Sequence, residues 1–169
     1  TEIVQLLLQR DELDVNLQDQ YNNHTALLRA CEKGHTEIVQ LLLQRDELDV
    51  NLQHNNNNNT ALILACEKGH TEIVQLLLQR DELDVNLQGQ YNNTALIWAC
   101  DKGHTEIVQL LLQRDELDVN LQGEDNNTAL IWACLKGHTE SVQLLLQREE
   151  LNVNLQDNKS NKALIWACM

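Results

Sequence analysis

Basic residues are scarce in this chain. Lys and Arg total 12 against 26 Asp and Glu, a formal charge of −14 at pH 7, and such a chain repels the phosphate backbone that a nucleic-acid binder has to neutralise. DNA and RNA are excluded as partners on that ground. Long apolar runs are also lacking. Stretches such as Ile97 to Cys100 with its flanks fall far short of the roughly 20 residues that cross a bilayer, which excludes membrane insertion. Thr1 to Arg10 lack the basic stretch and long apolar region of a secretory leader, so the expectation is a soluble, intracellular, cytoplasmic chain.

No disulfide framework is visible either. Cys31, Cys66, Cys100, Cys134 and Cys168 are an odd set with gaps of 35, 34, 34 and 34, which marks one structural position repeated, not a set of bridges. What is present is apolar mass: 43% of 169 residues are hydrophobic, enough for a folded core and too much for a disordered acidic tail.

The same period runs through the whole sequence. Thr1, Thr36, Thr71, Thr105 and Thr139 each open a TEIVQLLLQ segment, the last altered to TESVQLLLQ, and Gly34, Gly69, Gly103 and Gly137 keep step as GH pairs. A period of this size is the signature of a repeat array. The chain divides into a partial unit 1–18, units 19–53, 54–88, 89–122 and 123–156, and a partial unit 157–169, forming one array that is expected to be a fragment of a longer one.

Each unit reads alike. An Asn-rich turn such as Gly89-Gln90-Tyr91-Asn92-Asn93 comes first, since Asn tolerates left-handed geometry. A two-turn helix follows over 94–102, with Thr94 as N-cap and Gly103 stopping it. A second helix is predicted over Thr105 to Arg114, with Ile107, Val108, Leu110, Leu111 and Leu112 on a broad apolar face. Asp115 to Gln122 alternates acid and apolar, predicting an extended connector with Leu117, Val119 and Leu121 turned inward. Helices this short are marginal alone, so each hairpin depends on its neighbours.

The stretch NNTALIWACDKGHTEIVQLLLQRDELDVN resembles the ankyrin repeat, whose pattern is G-x-TPLHxAA, two variable residues, GHxxIVxLLL and then ADVN. The resemblance recurs at every unit and implies an all-α solenoid of helix-turn-helix hairpins with finger-like turns. Departures are regular. Pro and His of TPLH are replaced, for example by Ala61 and Ile63 or Ala95 and Ile97, so the family's Thr–His hydrogen bond gives way to more burial. The turn Gly becomes Asn23, Asn58, Asn92 and Asn126, and Ser160 in the last unit. The resemblance also implies that Asn51, Asn86 and Asn120 occupy positions that can be hydroxylated.

Chemical sites compete poorly with structural roles. The cysteines stand at the family's small Ala position, where a thiol packs as a small hydrophobe. Equivalent cysteines on helices roughly 8–10 Å apart are too distant for bridges, which need Cα atoms within about 7 Å. Cys31 and His35 lie four apart with the helix-ending Gly34 between them, and one pair per unit does not make a zinc site. The acids Asp81, Glu82 and Asp84 alternate with Leu83 and Val85 and read as a solvated ridge, offset by Arg10, Arg45, Arg80, Arg114 and Arg148 at helix C-termini. No metal, cofactor or catalytic constellation is expected, and the chain is read as a non-enzyme.

The resemblance implies that a partner is recognised by the turn tips and the exposed part of the first helix. Within the chain, differences fall in the turns Asp19 to His24, His54 to Asn59, Gly89 to Asn93, Glu124 to Asn127 and Asp157 to Asn161. They also fall at one first-helix position running Arg29, Leu64, Trp98, Trp132, Trp166, and at another three residues on running Glu32, Glu67, Asp101, Leu135. Residues three apart share a helix face, so Trp98, Asp101, Trp132, Leu135 and Trp166, bordered by Tyr91, Glu124 and Asp125, form the candidate surface, with Arg29 and Leu64 at the equivalent places earlier in the chain. Trp and Tyr are favoured interface anchors. The expected partner of this monomeric chain is a protein offering apolar groups with basic residues nearby. The alternatives are a structural spacer whose Trp residues only pack the stack, or an accessory region of a larger enzyme or channel.

Overall fold

The structure is a computed structural model and describes residues 1–20, 24–54 and 56–169. Asn23, expected in a left-handed turn, lies outside the described residues, as do its neighbours Tyr21 and Asn22 and also Asn55. The chain forms two compact units, Thr1–Asp84 and Val85–Met169. Both are helical, and no strand occurs among the described residues.

The first unit contains α1 (Glu2–Leu8), α2 (Ala26–Lys33), α3 (Thr36–Leu42), α4 (Ala61–Lys68) and α5 (Thr71–Leu77). The second contains α6 (Ala95–Lys102), α7 (Thr105–Leu111), α8 (Ala129–Leu135), α9 (Thr139–Leu145) and α10 (Ala163–Ala167). In the first unit α2 packs on α3 and α4, α4 on α5, and α3 on both α1 and α5. In the second α6 packs on α7 and α8, α8 on α9 and α10, and α7 on α9. Each unit is therefore a stack of helix-turn-helix hairpins.

Local chemistry sets the helix starts. Thr25, Thr60, Thr94 and Thr128 are extended, and each hydroxyl accepts the amide three residues on, at 3.1–3.2 Å, the N-cap bond that short helices need. Lys162 stands where that Thr should be, has no capping bond, and α10 runs for only 5 residues. Gly34 stops α2 at φ 72°. A Cβ there would also lie 2.6 Å from Cε1 of His70, so the GH pair serves two neighbouring hairpins.

The second helices are shorter than expected. α7 ends at Leu111, not Arg114, because Gln113 N and Arg114 N bond three residues back, to Leu110 O at 3.2 Å and Leu111 O at 3.1 Å. That tightening satisfies the last carbonyls. The connector is also corrected: it is a pair of turns, with Leu117 N donating to Arg114 O at 3.2 Å and Asn120 N to Asp118 Oδ1 at 2.9 Å. Leu117 and Val119 are buried as expected, but Leu121 is only half-buried.

Two polar devices tie hairpins together inside each unit, and a third does so in the second. Arg45 donates to Leu8 O, Arg80 to Leu43 O and Arg148 to Leu112 O, all at 2.8 Å. The side chain of Asn51 donates to Glu82 O at 2.7 Å and accepts from Asp84 N at 2.9 Å. Asn86 and Asn120 repeat that pattern, as does Asn16. His138 Nε2 lies 3.3 Å from Asp101 O.

Below these devices the core is aliphatic. Leu28, Ile63, Ile97 and Ile131, at the place of the family's His, are each 1% exposed. Cys31, Cys66 and Cys100 are fully buried, and burial pushes the Cys31 thiol up to about 12 and raises Cys100 too. Cys134 is half-buried and Cys168 exposed, and none of the five cysteines is in a disulfide. Turn residues Asn58, Asn92, Asn126 and Ser160 have φ of 56°, 59°, 61° and 64°. Tyr91 and Asp125 are left-handed as well, at 61° and 55°.

A candidate recognition surface on the first helices

In the second unit Trp98, Trp132 and Trp166 occupy equivalent places on α6, α8 and α10, and each is half-buried. Tryptophan is too large to disappear beneath a two-turn helix, so its rim stays at the surface. Lys102 Nζ sits 5.2 Å from the ring centroid of Trp98, and Lys136 Nζ sits 5.4 Å from that of Trp132. In both cases the lysine follows by four residues, one helical turn, which places cation over ring.

Asp101 orders this group from within. Its side chain is 10% exposed, with Oδ2 2.8 Å from Lys102 Nζ and Oδ1 3.5 Å from Lys136 Nζ. One carboxylate thus holds lysines from two successive hairpins above two tryptophans. Asp101, expected at the partner surface, is turned inward and already paired with these lysines. At the equivalent place on α8 stands Leu135, 36% exposed.

The indole nitrogens are treated unequally. Trp166 Nε1 donates to Asp157 Oδ2 at 3.0 Å, whereas Nε1 of Trp98 and of Trp132 is buried with no hydrogen-bond partner. The reason lies nine residues upstream, where the turn opens with Asp157 in one hairpin and with Gly89 and Gly123 in the others. Asp157 was read in the sequence only as part of a turn, and its bond to Trp166 was missed, although an acid at that spacing from a Trp is a readable signal. Lys102 and Lys136 were missed too, and their four-residue spacing was equally readable.

The turns border this group. Tyr91 is 53% exposed at its left-handed tip. Glu124 is half-buried and its amide donates to Asn93 Oδ1 at 3.0 Å. Asp125 is exposed, its carboxylate and carbonyl accepting from Asn158 Nδ2 and N, both at 2.8 Å.

The first unit carries the two remaining residues, and they diverge. Arg29 has a side chain 45% exposed, 3.6 Å from Asp19 and 3.9 Å from Glu32. Leu64 is corrected to core: it is 6% exposed, because leucine is short enough to be covered where tryptophan is not.

Among the described residues no group of His, Cys, Asp or Glu is arranged to hold a metal ion, and no helix is long and apolar enough to cross a membrane. The family model for ankyrin repeats (3 copies) matches residues 1–89, 46–122, 82–157 and 116–169, overlapping spans that together reach both ends of the chain. No curated protein matches it.

Proposed function

The chain belongs to the ankyrin-repeat family, whose members generally serve as protein-interaction modules and are typically non-catalytic, and from that premise we propose that its second unit binds a protein partner through the tryptophan-bearing first helices. The partner rests apolar groups on Trp98, Trp132, Trp166 and Leu135, with Tyr91 at the border. Basic residues of the partner face Glu124 and Asp125, in keeping with the charge of −14. Arg29 offers a separate contact in the first unit. In this reading the chain acts as a monomer. Five cysteines, none of them in a disulfide, support a reducing, intracellular setting.

The observation that carries the reading is the contrast between helices. The second helices α1, α3, α5 and α7 share one sequence, whereas the first helices change at the Trp and Leu135 positions. Residues that vary while the scaffold repeats are those free to select a partner.

A spacer reading has its own support, because Lys102 and Lys136 cover the Trp faces and two indole nitrogens point inward. Leu135→Glu and Tyr91→Ser separate the two, since both side chains are exposed and neither substitution touches the core. With folding verified by circular dichroism, loss of the protein captured by the wild-type chain supports recognition. Unchanged capture by both variants supports the spacer.

A further inference from the structure

Two successive turns of the first unit meet through a pair of imidazoles. His24 immediately precedes the cap residue Thr25 of α2, and His54 opens the following turn, where its amide donates to Asn59 O at 2.9 Å. The ring centroids are 4.4 Å apart and the planes stand at 78°, edge to face.

The second unit fills the same two positions with different residues. Asn93 stands at the place of His24 and Gly123 at the place of His54. Asn93 Oδ1 accepts the amide of Glu124 at 3.0 Å, and a Cβ added at 123 would lie only 2.0 Å from that oxygen. One unit therefore joins its turns with an amide bond acceptor and a glycine, neither of which titrates near neutrality. The other joins them with two imidazole rings.

The surroundings leave His24 poorly equipped for a positive charge. His54 is 6% exposed, and its Nδ1 accepts the amide of Asn56 at 3.1 Å, which puts the proton of the neutral ring on Nε2. The His24 side chain is 13% exposed, and its Nδ1 is buried without a partner. Its Nε2 lies 3.9 Å from Glu32 Oε2, too far for a hydrogen bond. The groups around His24 are Asp19 from its own turn, Arg29 and Glu32 from α2 with Lys33 beside Glu32, and His54 from the next turn. Burial first, then Arg29 and His54, hold His24 below the ordinary imidazole value, against the pull of Glu32 and Asp19.

We propose that His24 and His54 form a proton-operated clasp between two turns of the first unit, closed while both rings are neutral and opened when a proton places positive charge on the pair. The edge-to-face contact is lost at that point, because the rings are too close and too covered to share a charge cheaply. The closed form is favoured above the ordinary imidazole range near 6.5. As pH falls below that range the unfolded chain takes up the proton first, and the stability the neutral pair contributes is withdrawn. The second unit, with Asn93 and Gly123, has no such dependence at its corresponding turns.

The double variant His24→Asn/His54→Gly installs the second unit's pair in the first. Amide hydrogen exchange of α2 and α4, with ring titrations by NMR, would be measured on the whole chain at pH 7.5 and 5.0 after correction for intrinsic exchange. The wild type is expected to lose protection in α2 and α4 on acidification, while the double variant holds steady. Equal loss in both proteins would overturn the proposal, as would a His24 ring that titrates at the ordinary value. Should the double variant fail to fold, Glu32→Gln answers instead: removing that counter-charge must lower the pH at which the His24 ring titrates and deepen the loss of protection at pH 5.0, and an unmoved or raised ring titration refutes the clasp.

Discussion

Trp166 Nε1 donates to Asp157 Oδ2 at 3.0 Å, and this bond fixes the orientation of the last tryptophan from the turn that precedes its own helix. The same carboxylate accepts from Lys159 N and Asn161 N, both at 2.8 Å, and from Asn161 Nδ2 at 3.1 Å.

Asp157 should therefore give the chain an acid-sensitive joint. Burial pulls its carboxyl upward, but the hydrogen bonds from Asn161, Trp166 and Lys159 outweigh it and hold the group below its usual value. A depressed carboxylate contributes stability above the unfolded value near 3.8, and that contribution disappears as pH falls through the folded value. Urea midpoints measured from pH 6 to 2.5 should show a drop in the wild type that is smaller in Asp157→Asn, and parallel curves would show that the turn does not depend on the charge.

The two kinds of indole respond differently to loss of their nitrogen. Trp166→Phe removes a charge-assisted bond and should cost roughly 1–3 kcal/mol. Trp132→Phe removes a donor that already lacks a partner, so its cost is limited to lost contact area and falls within about 1 kcal/mol. Thermal unfolding of both variants decides the point, and a larger penalty at Trp132 would mean its nitrogen is satisfied in solution.

Asn120 bridges two connectors through both ends of its amide, donating to Glu150 O at 2.8 Å and accepting from Asn152 N at 2.7 Å. Asn120→Ala should destabilise the second unit by about 1–2 kcal/mol. Asn120→Asp keeps the acceptor but loses the donor and adds charge beside Asp118 and Glu150, so it should do no better than alanine. Denaturant unfolding of the pair tests this, with a neutral Asn120→Asp as the contrary result.

Ser141 is fully buried on α9, where α5 and α7 carry the fully buried Ile73 and Ile107. Its hydroxyl has Thr105 Oγ1 at 3.3 Å. Ser141→Ile restores the aliphatic contact and should raise stability by roughly 1–2 kcal/mol. A lower melting temperature would show that the surrounding packing has closed in around the serine.

How much was legible in the sequence followed the range of each interaction. Thr94, Gly103 and Ile97 were readable because caps, stops and buried faces depend on residues a few positions apart. The connector was misread because alternating Leu117 and Val119 can be turned inward by two tight turns as well as by an extended segment. The carbonyl that Arg148 reaches lies 36 residues earlier, and only the register between hairpins brings it near. Leu64 shows a different gap: variation at a position does not establish exposure when the side chain is small enough to be covered. Asp101 was placed on the correct face, but its direction depends on a lysine from another hairpin.

The arginine and asparagine bridges carry a consequence for how the chain finds its fold. Each bridge ends on a backbone carbonyl or amide, and residues 1–18, 36–53, 71–88 and 105–122 are the same sequence. A backbone group has no identity of its own, so these joints recognise a shape and not a particular neighbour. During folding, a second helix can dock one place out of turn and still satisfy its arginine and asparagine, the kind of misassembly to which repeat proteins are prone. The dissimilar residues of the turns and first helices, such as the His24–His54 contact and the Asp101 clamp, then act as keys that distinguish the correct order from its near copies.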